Sequence, residues 1–294
     1  MRSSAVATMR LARLARAPTR QLSTSAEQMA VVRTNWTREE VGEIYRLPFT
    51  ELLFRAAAVH RQSFDPLEVQ RCTLLSVKTG GCTEDCKYCA QSTRYKTAVS
   101  ATPMMPVMDV IEAAKRAKQA GSTRFCMGTA WRELGGKKAM FRKILEMVRE
   151  VKAMDMEVCC TLGMVTKEQA HQLKEAGLTA YNHNLDTSRE HYPNVITTRS
   201  YDDRLQTIAN VREAGISVCC GGILGLGETE DDRIGLLTEV RRRCQHTARV
   251  ASLPCARAPG TSGAIDASVA HTRALLCTRL CARRHRRFHI HDSS

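Results

Sequence analysis

The stretch EVCCTLGMVTKEQAHQLKEAGLTAYNHNLDT (157–187) decides the fold. Its opening, EVCCTLG (157–163), is short, largely apolar and stopped by glycine, which predicts a strand. KEQAHQLKEAG (167–177) has helical spacing and ends at Gly177. LTAYNHNLDT (178–187) is a second strand. Strand, helix and strand in so short a span make a parallel β/α unit.

The same alternation runs outward in both directions. Strands are predicted at 73–80, 122–131 and 216–227, and helices at 106–121, 138–154, 201–215 and 229–243. In the 138–154 helix, Phe141, Ile144, Leu145, Val148 and Val151 fall on one face. Ahead of these units, residues 37–64 predict helices with Leu52, Leu53, Phe54 and Ala57 on an apolar side. Five β/α units demand a parallel sheet, closed as a barrel or open and doubly wound. The chemically unusual residues gather at strand ends: the cysteine loop after residue 80, Cys126, Cys159, Asn184 with Asp186, and Cys219 with its glycines. A barrel collects functional residues there from several strands. The expected class is therefore α/β, of the TIM-type (β/α)8 barrel kind.

Composition narrows the function. Hydrophobic residues are 43% and charged residues 25% of the 294, enough for a packed core. The net charge of +14 suggests a polyanion binder until its distribution is read. The excess lies in residues 1–26, with five arginines and no acid, and in residues 241–294, with eleven arginines, no lysine and two aspartates. The span 27–240 is electroneutral, so its function calls for no nucleic acid, and no apolar run suggests a membrane span. Residues 1–26 have the Arg-rich, acid-free character of a mitochondrial transit peptide, with a matrix-peptidase site after Leu22. A reducing matrix would keep the thiols free for metal. Residues 241–294 read as an Arg-rich, disordered tail. There Cys277, Cys281, His285 and His289 share a helical face, a weak zinc signal with no core between the ligand pairs.

The chemistry concentrates in GGCTEDCKYC (80–89). Three thiolates spaced C-x3-C-x2-C can reach three irons of a [4Fe–4S] cluster and leave the fourth iron open to a small molecule. Structural zinc would want a fourth ligand nearby, and none sits at zinc spacing. This spacing, with Tyr88 before the third cysteine, resembles the signature of the radical S-adenosylmethionine enzymes. Neighbours on a strand face opposite ways, so only one cysteine of Cys159/Cys160 and one of Cys219/Cys220 can face a barrel lumen. Asn182, Asn184 and Asp186 alternate with His183 and Leu185 and should share the lumenal face. There they could offer both donors and acceptors to a bound molecule.

Within that class the chain resembles the biotin synthase family. The resemblance is carried by SVKTGGCTEDCKYCAQSTRYKT (76–97), RFCMGTAWR (124–132), CCTLGMVTKEQAHQLKEAGL (159–178), YNHNLDTSREHYPNVITTRSYDDRL (181–205) and VREAGISVCCGGILGLGETEDDRIGLL (211–237). It implies reductive cleavage of S-adenosylmethionine, with the resulting radical taking hydrogens from dethiobiotin and a [2Fe–2S] cluster giving up the sulfur. Carried over, Cys82, Cys86 and Cys89 hold the [4Fe–4S] cluster, and Cys126, Cys159 and Cys219 are ligands of the [2Fe–2S] cluster. Cys160 and Cys220 are then buried towards the helices, and Cys72, placed before the first strand, has no role. Gly221, Gly222, Gly225 and Gly227 match the family's glycine stretch near the adenosine. Arg124 is either a charge beside the second cluster or half of a surface ion pair. The resemblance also implies an electron-donor redox protein, iron–sulfur assembly machinery and a homodimer as partners, in the mitochondrial matrix.

The likeness fades after about Leu237. The family's last three β/α units, one bearing an arginine ligand of the [2Fe–2S] cluster, are missing or replaced in this reading. The competing readings are a catalytically impaired truncated form, another radical S-adenosylmethionine enzyme using only the [4Fe–4S] cluster, and a non-catalytic metal- or nucleic-acid-binding protein built on the basic tail. The three further strand-end cysteines argue against the one-cluster enzyme. The neutral middle argues against the tail-based protein.

Overall fold

The computed structural model describes residues 35–244. The transit-peptide reading of 1–26, the tail beyond Cys244 and the Cys/His set at 277–289 lie outside the described residues.

Five strands form one sheet: β1 (Cys72–Lys78), β2 (Arg124–Thr129), β3 (Glu157–Thr161), β4 (Ala180–Asn182) and β5 (Ser217–Cys219). They are ordered 1-2-3-4-5 and every adjacent pair is parallel. Helices α3 (Val107–Gln119), α4 (Lys138–Ala153), α5 (Lys167–Glu175), α6 (Tyr201–Glu213) and α7 (Glu230–Cys244) follow the strands in turn. Right-handed crossovers between successive neighbours put every helix on the same face. A doubly wound sheet would instead reverse its order part-way. The architecture is thus that of a partial (β/α) barrel.

Strand alternation makes this arrangement work. Phe125, Met127, Val158, Cys160 and Tyr181 are fully buried against Ile144, Val148, Leu173 and Val211 of the helices. The opposite face carries a row in register across the whole sheet: Leu74, Cys126, Cys159, Ala180 and Ser217. All five apolar positions named for the 138–154 helix are buried in α4.

Capping fixes where the helices start. Thr166 with Gln169 and Ser200 with Asp203 form reciprocal capping boxes on α5 and α6. Thr229 and Asp232 bond each other's backbone N–H at the start of α7. The other two acids of that first turn do more than complement the helix dipole. Asp231 pairs with Arg38 and Glu230 with Arg46, fastening α1 (Arg38–Tyr45) to α7.

Several expectations need correction. The 37–64 helical stretch is two helices, α1 and α2 (Phe49–Ser63), because Pro48 cannot continue the first. On its apolar side Leu52 and Ala57 are half-buried, while Leu53 is 58% and Phe54 70% exposed. Cys72 is the first residue of β1 rather than a residue ahead of it. The strands at 178–187 and 216–227 are regular only over 180–182 and 217–219. Beyond those points the two segments still bond each other, His183 N–H to the Cys219 carbonyl and Leu185 N–H to the Gly221 carbonyl, both at 3.0 Å. The helix read over 229–243 runs through Cys244, so residues 241–244 belong to it and not to a disordered tail. Among the described residues no helix is long and apolar enough to cross a membrane.

Candidate functional site

The cysteine loop leaves the carboxyl end of β1 and folds back on itself. Gln91 accepts the Gly80 N–H with its side chain at 2.8 Å and the Cys82 N–H with its carbonyl at 3.0 Å. The Thr93 N–H donates to the Cys82 carbonyl at 2.9 Å, and the Cys89 N–H to the Cys86 carbonyl at 2.9 Å. Asp85 then clasps the loop to a distant segment. Its carboxylate accepts the backbone N–H of Thr197 at 2.9 Å, that of Thr198 at 3.2 Å, and both threonine hydroxyls. Burial raises the Asp85 pKa, but these four donors outweigh it and hold the carboxyl at about 2. The Lys87 N–H adds a bond to the Val195 carbonyl.

Cys86 is buried, while Cys82 and Cys89 are half-buried. Burial pushes the Cys82 thiol up, and it pushes Cys86 to about 11 against the pull of Arg204 and Arg199. Behind the loop lies a charged cluster in a nearly dry setting. Arg204 pairs with Asp186, and it donates to Tyr192 Oη at 2.8 Å and to the Asn184 carbonyl at 2.6 Å. Tyr88 in the cysteine loop also donates to Asp186. Burial raises the Asp186 pKa and Arg204 opposes it. Burial, helped by Arg204 and Arg199, holds His183 neutral, well below its ordinary pKa.

A second set of cysteines occupies the face away from the helices. Cys126 and Cys159 are partners in the β2–β3 register. Cys219 pairs with Asn182 across β4–β5, one pleat further along. The neighbouring Cys159 thiol lowers the Cys126 pKa despite burial, and Cys126, together with burial, raises that of Cys159. Cys160 and Cys220 are buried in the two cores under the helices. Arg124 lies two residues before Cys126 and donates through Nε to Glu157 at 2.7 Å, so it has its ion pair while remaining on the cysteine face.

The remaining predicted residues divide. Asn182 and Asn184 are half-buried near the open face, with Asn184 close to Gly221. Asp186 is buried, has a φ of 68°, and forms an ion pair with Arg204. Gly222 is glycine for packing, since a Cβ there would lie 2.3 Å from Leu236 Cδ2 and 2.8 Å from the Asp186 carbonyl. Gly225 and Gly227 have positive φ and open space around them, which suits close approach of a ligand.

The donor chemistry fits iron–sulfur clusters. Both sets are all-sulfur, which favours soft, thiolate-bound iron over hard cations. Among the described residues no three His, Cys, Asp or Glu side chains converge at the spacing of a single metal ion. A cluster spreads its thiolates over several irons and needs no such convergence.

Comparison with known proteins agrees with this geometry. The family model of the Radical SAM superfamily matches residues 76–240. A biotin synthase of Schizosaccharomyces pombe is 57% identical over 242 residues, covering 82% of this chain and 67% of that protein. A mitochondrial biotin synthase of Arabidopsis thaliana is 64% identical over 205 residues, covering 70% of this chain and 54% of that protein. The chain belongs to the biotin synthase family. It spans only 54% to 67% of the length of these two relatives. In fold alone it is also similar to the crystal structure of methylornithine synthase, with a TM-score of 0.62 at 17% identity over 74% of this chain and 64% of that one.

Membership of the biotin synthase family brings a [4Fe–4S] cluster with S-adenosylmethionine, and a [2Fe–2S] cluster typical of biotin synthases. The structure adds residues that sequence reasoning missed: Glu84, Asp85, Arg132, Thr197, Thr198, Arg199, Arg204 and Glu228. Glu228 accepts the N–H groups of Gly225 at 2.7 Å and Leu226 at 2.6 Å, shaping the glycine loop, and is paired with Arg233. The available signal was two adjacent acids inside the cysteine loop and an ITTRS run (196–200) inside one of the stretches shared with the family.

Proposed function

We propose that this chain inserts sulfur into dethiobiotin to give biotin, using S-adenosylmethionine and two iron–sulfur clusters. One observation carries the reading: one all-cysteine set sits in the loop after β1, and a second, separate one lies on the helix-free face of the same sheet. A one-cluster enzyme has no use for the second set. In this reading Cys82, Cys86 and Cys89 hold the [4Fe–4S] cluster, and Cys126, Cys159 and Cys219 hold the [2Fe–2S] cluster. When bound, the first cluster supplies the electron that splits S-adenosylmethionine and the second supplies the sulfur. Asn182 and Asn184 offer donors and acceptors to the ribose and the ureido ring. Gly225 and Gly227 let backbone approach the adenosine. Asp186 and Arg204 brace the floor of the site by pairing with each other, and Asp85 keeps the cysteine loop in place.

The reading extends to the setting. Mitochondrial relatives and the composition of residues 1–26 support the mitochondrial matrix as the location. A redox protein as electron donor, iron–sulfur assembly machinery and a homodimer follow from family membership alone. The test is anaerobic reconstitution of the full chain with iron and sulfide, followed by incubation with a strong reductant, S-adenosylmethionine and dethiobiotin. Biotin should form, and Cys86→Ala should abolish both biotin formation and cleavage of S-adenosylmethionine. A cluster-loaded chain that cleaves S-adenosylmethionine yet leaves dethiobiotin untouched would overturn the assignment.

A further inference from the structure

Arg199 is a buried cation without an adequate partner. Its side chain is 8% exposed, and its Nε and Nη1 have no hydrogen-bond partner. The carboxylate oxygen paired with it, Glu84 Oε1, is 3.8 Å from Nε. That same oxygen lies 3.5 Å from Arg132 Nε and accepts no hydrogen bond either. Two guanidinium groups therefore converge on one carboxylate that satisfies neither. Glu84 sits midway between Cys82 and Cys86 in sequence, so its contacts bring both guanidinium groups beside the cysteine loop. Burying a guanidinium whose Nε and Nη1 make no hydrogen bond is expensive, which marks a place prepared for additional negative charge. Three thiolates on an oxidised four-iron core leave a net negative charge, and reduction adds one more.

We propose that Arg199 is a positioning residue for the first cluster: with Arg132, and partly offset by Glu84, its positive charge raises the potential at which the cluster accepts an electron. This rests on the reading that Cys82, Cys86 and Cys89 carry that cluster. The sign follows from Coulomb's law in a weakly screened site, where a nearby cation stabilises the more negative, reduced state. Glu84 must act in the opposite direction.

The test is a redox titration of the reconstituted full chain without S-adenosylmethionine, followed by electron paramagnetic resonance of the reduced cluster. Arg199→Gln should be harder to reduce. At the potential where the unmodified protein is half reduced, its ratio of reduced to oxidised cluster should fall about tenfold, or ~59 mV for one electron. Arg199→Lys keeps the charge and should stay close to the unmodified value. Glu84→Gln should shift the other way. Normal iron content in Arg199→Gln with an unchanged potential overturns the inference. So does an unchanged potential with weakened S-adenosylmethionine binding, which would make Arg199 a partner of that ligand's carboxylate instead. If Arg199→Gln takes up no iron, the signs for Arg199→Lys and Glu84→Gln decide, and a downward shift in Glu84→Gln overturns the inference. An unmodified chain that takes up no four-iron cluster removes the underlying reading, and the inference with it.

Discussion

Cys126 and Cys159 stand opposite each other in register on neighbouring parallel strands, on the face away from the helices. Two sulfurs are thereby pre-placed on the open face, while Cys160, one residue further on, is sealed under α4 and α5. Cys126→Ser and Cys159→Ser should each remove the visible absorbance of a two-iron cluster, as should Cys219→Ser. Cys160→Ser and Cys220→Ser should retain it, at a cost of about 1–3 kcal/mol where a buried hydroxyl goes unpaired. Equal loss of absorbance from Cys159→Ser and Cys160→Ser would overturn the register argument.

Asp85 joins the cysteine loop to Thr197 and Thr198, far away in sequence. Asp85→Asn keeps the size but loses charge-assisted acceptance from four donors. The loop should loosen while the core, which makes no use of Asp85, stays folded. Iron should leave the reconstituted variant several-fold faster in the presence of a chelator, with little change in melting temperature. An unchanged rate of iron loss would show that the clasp is dispensable.

Gly222 and Gly225 should differ in how they respond to alanine. At Gly222 the new methyl meets Leu236 and a backbone carbonyl, so overpacking should cost about 1–3 kcal/mol. At Gly225 there is space, and the penalty comes from the φ of 102°, about 1–2 kcal/mol. Urea unfolding measures both. Only the Gly222 variant should also disturb α7, visible as faster amide exchange around Leu236.

Asp232 gives a pH dependence. Hydrogen bonds from Ser188 and then Thr229 hold its carboxyl at about 2, below its ordinary 3.8. Its contribution is complete above about pH 4 and is lost as the pH falls towards 2. Melting temperature should therefore drop more steeply between pH 4 and 2 for the unmodified protein than for Asp232→Asn. Parallel curves would exclude this carboxylate as a source of acid sensitivity.

The sequence made the β/α order readable because each helix keeps one apolar stripe and a cap, as in α4 with Phe141 to Val151. The cysteine spacing was readable for the same reason: it is local. Long-range placement was not. Alternation grouped Asp186 with Asn182 and Asn184, but gave no sign of its left-handed backbone or of its ion pair with Arg204. Leu53 and Phe54 read as part of an apolar side, but helical spacing does not record whether anything covers that side. Nothing in the spacing of Arg132, Arg199 and Arg204 singles them out in a chain rich in arginine. Only the fold brings them behind the cysteine loop.

The clasp between Asp85 and Thr197–Thr198 also sets an order of events. A chain emerging amino-terminus first presents Cys82, Cys86 and Cys89 more than a hundred residues before the segment that shapes their loop. At ordinary rates of synthesis that interval is roughly ten seconds. Through it the three thiols have neither their final geometry nor the arginines that lie behind them, and stray metals or oxidants meet them as bare sulfur. On the reading that these thiols hold the first cluster, the final geometry of its loop waits for the chain between β4 and α6, where Thr197 and Thr198 lie.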